Sequence, residues 1–298
     1  MKIVFLGTGG SYPTPSRNVS SIAVKFDGDV ILFDCGEGTQ RQIMSSSISF
    51  MKIKKIFISH FHGDHFLGLP GLIQSMNLND REDPLEIYGP VGTLDMMKKL
   101  INIGYFRPGF EIDVYELLPE AELDYSGYSI SVFKSNHNVP TLGYVFKEDD
   151  KKGRFNKSRA LDLGIPEGPL FSKIHGGESV EVDGEIIEPE EVVGPPRRGR
   201  KIVYSSDTKP SPEITEAAEN ADVLIHDGTL DSSLSDKALK HDHSSVDMAA
   251  AVAKEAGVKK LFITHISPRY SDTTELETDA KKIFENSTIP SDLFEYEL

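Results

Sequence analysis

A chain of 298 residues with a formal charge of −15 is long enough for one large domain or two small ones, and its 38% apolar content is ordinary for a globular protein. Its apolar runs are only a few residues long, so the sequence predicts no bilayer-spanning helix, and Met1-Lys2-Ile3-Val4-Phe5-Leu6 reads as a first strand rather than a leader. One cysteine, Cys35, excludes an intramolecular disulfide and fits a reducing cytoplasm, while the acidic balance counts against nucleic acid unless positive charge is gathered locally.

In chain order, short β-branched and aromatic runs predict strands at 2–6, 22–26, 30–33, 53–58 and 85–88, with helical spacing at 38–44, 69–78 and 93–103. Cys35, just after the third run, reads as a small buried hydrophobe. Three further strands at 112–117, 129–133 and 142–146 follow in antiparallel style. From about 147 to 200 glycine, proline and charge dominate, with weak strand signals only near Val180 and at Ile186-Ile187. With no evident core of its own, this stretch reads as an arm protruding from the domain, centred on about 148–178. Alternation resumes with strands at 202–205, 223–226, 261–264 and 293–296 and helices at 212–220, 245–256 and 276–285. Two strand-rich halves with helices outside predict an α/β sandwich of two mixed sheets covered on both outer faces.

The run His60-Phe61-His62-Gly63-Asp64-His65 carries the chemistry. Three imidazoles and a carboxylate so close together form an N/O ligand set for zinc or a similar divalent ion, and would leave unpaired groups if buried without one. The predicted strand at 53–58 ends on this run, and three other strands end on His137, Asp207 and His265. In sheets flanked by helices, sites form beyond the carboxyl ends of strands. Seven ligands exceed one tetrahedral ion and suit two ions sharing a bridging carboxylate.

Two basic clusters run against the total charge: Lys151, Lys152, Arg154, Lys157 and Arg159, and Arg197, Arg198, Arg200 and Lys201 after Pro195-Pro196. Gly7-Thr8-Gly9-Gly10 follows a strand, but Tyr12-Pro13-Thr14-Pro15 stands where a helix would start, so a dinucleotide fingerprint fails and an active-site loop is expected instead.

These residues resemble a known family. His60-x-His62-x-Asp64-His65 with His137, Asp207 and His265 is similar to the metallo-β-lactamase superfamily. The tRNase Z family within it is resembled by Gly7-Thr8-Gly9 with Pro13-Thr14-Pro15-Ser16-Arg17-Asn18, by Phe33-Asp34-Cys35-Gly36-Glu37-Gly38-Thr39-Gln40-Arg41-Gln42, by Gly164-Ile165-Pro166-Glu167-Gly168-Pro169, and by Thr264-His265-Ile266-Ser267-Pro268-Arg269-Tyr270. The resemblance implies a single αββα four-layer catalytic domain over 1–298 with an inserted substrate-binding arm. It implies a zinc-dependent endoribonuclease that removes the 3′ trailer from precursor tRNA, leaving a 3′ hydroxyl on the tRNA and a 5′ phosphate on the trailer. Also implied are two Zn2+ per subunit, one on His60, His62 and His137, the other on Asp64, His65 and His265, with Asp207 bridging. A cytoplasmic homodimer is implied as well, the arm of one subunit gripping tRNA through Gly164, Pro166, Gly168 and Pro169, with Arg17 a further RNA contact.

Within that chemistry Asp64 is the expected proton acceptor and His243 the group that stabilises the leaving oxygen. His243 precedes a helix expected to start at Ser244 and Asp247 in the manner of a capping box, which would favour its neutral form. The chain departs from the family at His226-Asp227-Gly228-Thr229, where His-Glu-Ala-Thr is usual, and at Asn138, where Arg is common. A small-molecule phosphodiesterase or ester hydrolase on the same dinuclear fold is the alternative, and a non-catalytic binding protein or a diiron redox centre are more distant ones. The arm and the basic clusters discriminate, because a small substrate needs neither.

Overall fold

Strand-forming runs of Val, Ile and Phe build two seven-stranded mixed sheets in the computed structural model, which describes residues 1–298. The first sheet contains β1 (Lys2–Gly7), β2 (Ser21–Phe26), β3 (Asp29–Phe33), β4 (Ile53–Phe57), β5 (Leu85–Gly89), β6 (Ile112–Glu116) and, at its other edge, β16 (Glu295–Glu297). The second contains β7 (Glu122–Tyr125), β8 (Tyr128–Lys134), β9 (Leu142–Glu148), β12 (Lys201–Tyr204), β13 (Val223–Asp227), β14 (Lys260–Thr264) and β15 (Ser287–Thr288). Strand β6, expected in an antiparallel group, pairs parallel with β5. The helix α4 (Thr93–Ile101) lies between these two strands in sequence and supplies the crossover a parallel pair requires.

Inward-facing aromatic rings join the sheets. Phe33 of β3 lies 5.8 Å from Tyr144 of β9 and 5.9 Å from Tyr204 of β12, and Phe5 of β1 lies 4.8 Å from Phe262 of β14. The Tyr144 hydroxyl, buried with its ring, donates to the Ile58 carbonyl at 2.7 Å, so the ring crosses the interior without an unpaired polar group. Outside the first sheet, Leu69, Leu72, Ile73 and Met76 of α3 (Leu69–Leu78) and Met97 and Leu100 of α4 pack in a buried cluster with Val4, Leu32, Ile56 and Ile87. Outside the second, Ala249, Ala250 and Ala253 of α9 (Val246–Glu255) and Leu276 and Ala280 of α10 (Thr274–Ile283) pack with Val203, Leu224 and Leu261. Each fully buried Leu or Ile contributes roughly 1.5–3 kcal/mol. These layers are the αββα four-layer sandwich of the metallo-β-lactamase fold.

Tyr125–Tyr128 and Lys147–Arg200 form a second compact unit, which runs past the expected end at 178. It has its own core, contrary to expectation: Ala160, Ile165, Ile174, Val180, Ile187 and Val192 are buried together. Those residues are spread thinly among glycine, proline and charge, and only the weak strand signals near Val180 and at Ile186-Ile187 announce any of them. Asn156 caps α5 (Lys157–Asp162) by accepting from the Arg159 amide at 3.0 Å, Pro169 opens α6 (Pro169–His175), and β10 (Val180–Val182) and β11 (Glu185–Ile187) form a hairpin. Within this unit the two basic stretches run side by side. Lys151 and Arg197 exchange backbone hydrogen bonds of 2.9 and 2.8 Å, and the Gly194 amide donates to the Arg154 carbonyl at 3.0 Å.

Candidate metal centre

The strand ends converge. His60 follows β4, Asp64 and His65 sit on the single turn α2 (Gly63–Phe66), His137 follows β8, Asp207 follows β12 and His265 follows β14. All seven sequence-predicted ligands therefore lie in one cluster, in two overlapping groups. In the first, His62 Nδ1 is 3.1 Å from His60 Nε2 and 3.3 Å from His137 Nε2, and His60 Nε2 is 3.7 Å from Asp207 Oδ2. In the second, Asp64 Oδ2 is 3.2 Å from His265 Nε2 and 3.6 Å from His65 Nε2. Asp207 Oδ2 lies 3.3 Å from His65 Nε2 and 3.2 Å from His265 Nε2, so one carboxylate touches both groups.

The outer ring nitrogens are held by the protein, which aims the inner ones at the centre. His60 Nδ1 meets Ser59 Oγ at 2.9 Å, His65 Nδ1 meets Asp34 Oδ2 at 2.7 Å, His137 Nδ1 meets the Asp242 carbonyl at 2.8 Å and His265 Nδ1 meets Thr229 Oγ1 at 2.9 Å. Two inner atoms, His65 Nε2 and Asp207 Oδ1, are buried with no hydrogen-bond partner. Such orphans are costly in a native interior and fit a cation. Burial pushes His60, His62 and His137 below the ordinary histidine value, toward the neutral imidazole that binds metal. Burial raises Asp207, but the charges of His265 and His65 outweigh it and hold this carboxyl well below its ordinary range. Asp64 is likewise raised by burial and pulled lower overall by its hydrogen bond with His265 and the charge of His65. The residues present fit a divalent-metal centre.

His243 stands beside this cluster, its ring stacked 5.0 Å from that of His265. The hydrogen bond with Asp227 biases it the opposite way from the helix-start expectation. Burial lowers its pKa, but the Asp227 carboxylate, 2.8 Å from Nδ1, outweighs that and raises it to about 9. The helix also starts one residue later than expected. Ser245 is the N-cap of α9 with no side-chain capping bond, and Ser244 Oγ instead donates to the Thr208 carbonyl. Arg17 lies apart from the ligands, its guanidinium donating to Thr8 Oγ1 at 2.6 Å, the Pro290 carbonyl at 2.7 Å and Thr273 Oγ1 at 3.3 Å. Gly164, Pro166, Gly168 and Pro169 are exposed on the second unit, with Gly164 and Gly168 in positive-φ conformations.

Sequence reasoning left Asp34 without a role. Its buried carboxylate accepts from the Ser59 amide at 2.7 Å, Ser59 Oγ at 2.8 Å and the Tyr204 hydroxyl at 2.6 Å, besides contacting His65. An acid directly after an apolar strand was the available signal. Asp227 was likewise noted only as a departure, not as the partner of His243.

Comparison with known proteins places the chain in a family. A family profile described as anti-Pycsar protein Apyc1 matches residues 1–142, and a beta-lactamase superfamily domain matches residues 191–266. The chain is 48% identical to ribonuclease Z of Methanosarcina acetivorans over 100% of this chain and 98% of that one. It is 45% identical to ribonuclease Z of Pyrococcus horikoshii over 98% of this chain and 94% of the relative. Among solved structures, the short form of human tRNase Z superposes with a TM-score of 0.74 at 30% identity, covering 100% of this chain and 99% of that one.

Proposed function

This chain belongs to the ribonuclease Z family and is a tRNA 3′ processing endoribonuclease, and from that premise we propose how its own residues carry out the cut. His60, His62 and His137 would hold one zinc ion and Asp64, His65 and His265 a second, with the Asp207 carboxylate within reach of both groups. When bound, such a pair supplies positive charge to the attacked phosphate and a water acidified toward neutral pH. Asp64, ionised and anchored by the Ser11 amide at 2.6 Å, orients the attacking water and takes its proton as the bond to phosphorus forms. His243 has Nδ1 engaged by Asp227, so Nε2 is its remaining donor, and through that nitrogen it gives a proton to the departing 3′ oxygen. The tRNA then keeps a 3′ hydroxyl and the trailer a 5′ phosphate.

The second unit grips the tRNA body through its exposed Gly164–Pro169 turn, and the working form is a cytoplasmic homodimer. No helix is long and apolar enough to cross a membrane. The observation that carries this reading is the meeting of seven ligand side chains from four strand ends, two of whose buried atoms, His65 Nε2 and Asp207 Oδ1, lack hydrogen-bond partners. Incubating the purified protein with end-labelled precursor tRNA, with and without chelator, tests it. One chelator-sensitive cut beside the discriminator base, with a periodate-reactive tRNA end and a phosphatase-sensitive trailer end, is expected. Cleavage that survives full metal removal would overturn it.

A further inference from the structure

The loop from Gly7 to Asn18 closes over the second ligand group. The Ser11 amide donates to Asp64 Oδ2 at 2.6 Å, and Gly10 lies so close to His265 that an added Cβ would stand 2.5 Å from its ring. The Gly10 amide donates to the Ile266 carbonyl at 3.1 Å and the Ile266 amide returns a 3.1 Å bond to Thr8, which ties the loop to the strand end that carries His265. The loop makes no hydrogen bond with His60, His62 or His137; its contacts fall on Asp64 and His265.

Both ends of the loop converge on one carboxylate near the chain's C-terminus. Asp292 Oδ1 accepts from the Thr8 amide at 3.1 Å and Thr8 Oγ1 at 2.7 Å, while Oδ2 accepts from the Asn18 amide at 2.5 Å and Gln42 Nε2 at 2.9 Å. Asp292 is itself fixed independently of the loop. The next residue, Leu293, donates its amide to the Phe5 carbonyl at 2.7 Å, and the Phe5 amide donates to the Phe294 carbonyl at 3.0 Å. A carboxylate is the one side chain of this size with two acceptor ends and no donor, so it can receive a backbone N–H on each oxygen.

We propose that Asp292 is a positioning residue for the Asp64–His65–His265 metal position: by clamping both ends of the Gly7–Asn18 loop it holds the Ser11 amide and Gly10 against Asp64 and His265. This rests on the two-zinc reading above. Asp292→Asn is the incisive variant, because either orientation of the amide places its NH2 against a backbone N–H that cannot turn away. One end of the loop is released while side-chain volume is kept.

The test is titration of metal-stripped full-length protein with zinc against a chromophoric competitor. Wild type is expected to take up two equivalents. In Asp292→Asn one equivalent should bind as in wild type and the other roughly tenfold more weakly, the scale seen when a ligand loses its supporting hydrogen bond. Asp292→Glu, which keeps two acceptor ends, should recover part of the loss. A purely structural role would weaken both equivalents together, and that outcome, or two unchanged equivalents, overturns the inference while leaving the two-zinc reading standing. A wild-type chain that takes up no zinc overturns both.

Discussion

Replacing Asp34 isolates the support of the metal centre from the ligands themselves. Its carboxylate is fully buried and is contacted by four groups: the Ser59 amide on Oδ1, and Ser59 Oγ, Tyr204 OH and His65 Nδ1 on Oδ2. Asp34 also has φ of 60°, which Asn tolerates and Ala does not. In Asp34→Asn the amide nitrogen confronts a donor in either orientation. Placing it at Oδ1 is cheaper, since only the Ser59 amide is stranded, at about 1–3 kcal/mol. Asp34→Ala strands all four groups and adds the left-handed backbone cost, so about 4 kcal/mol or more is expected. Because in Asp34→Ala His65 loses the group that fixes its ring, the zinc affinity of that variant should also fall about 10–100-fold. Urea unfolding of the metal-free protein reads the first quantity and competitive zinc titration the second. An Asp34→Ala protein with wild-type zinc affinity would refute the claim that this hydrogen-bonded carboxylate orients His65.

His243→Ala should cut turnover of precursor tRNA about 10²–10⁴-fold with metal content unchanged; near-normal turnover removes it from the proton transfer. Replacing residues 150–199 by a short glycine linker is feasible because the Glu148 amide already donates to the Arg200 carbonyl at 2.9 Å; it should abolish cleavage of precursor tRNA yet spare bis(p-nitrophenyl) phosphate, and equal loss on both would make the unit structural. Glu148 is held down at about 2 from an ordinary 4.5, first by its hydrogen bond with Arg200 and also by Lys151. A depressed carboxylate contributes stability that is complete above 4.5 and lost as pH falls toward 2, so Glu148→Gln should be less stable than wild type at pH 7 and equally stable near pH 2 by urea midpoint. Arg154→Glu combined with Arg197→Glu should weaken tRNA binding and flatten its log-affinity against log-salt slope by about 1–2, whereas an unchanged slope would place both guanidinium groups away from phosphate.

How far these features could be read in advance depended on the distance over which each is encoded. The helix 69–78 matched its predicted bounds because Leu69, Leu72, Ile73 and Met76 carry a local period. The ligand run and the strand-end ligands were visible for the same reason: each is a polar residue placed directly after an apolar run. The pairing of His65 with Asp34 spans 31 residues and that of His243 with Asp227 spans 16, and neither leaves a local pattern, so the Asp227 partner of His243 could not be read from the helix start. The helix α2 went unpredicted because four residues are too few to show a period. In the second unit Ile165, Ile174 and Ile187 become a core only once the chain has folded back on itself.

The acidic total of −15 stops being an objection once the pairing within the second unit is taken into account. Two basic stretches some forty residues apart in sequence are brought onto one antiparallel ribbon by the Lys151–Arg197 and Arg154–Gly194 backbone bonds, so Arg154 and Arg197 are exposed on neighbouring strands of chain. Not every cation there is available. Glu148 engages Arg200 at 2.7 Å and Lys151 at 2.6 Å, and Lys157 pairs with Glu167 at 2.8 Å. The acids Glu178, Glu181, Asp183, Glu185 and Glu188 are gathered in and around the β10–β11 hairpin, while Glu190 and Glu191 share a hollow with Arg154 and Lys157 and Asp149 and Asp150 precede Lys151, so the basic edge is narrow. Binding free energy follows the potential at the surface that meets the phosphates, and screening confines each charge's reach to about 10 Å in ordinary salt. A chain can thus be strongly acidic as a whole and still present a basic edge to RNA, provided its fold, rather than its composition, sets which charges are neighbours.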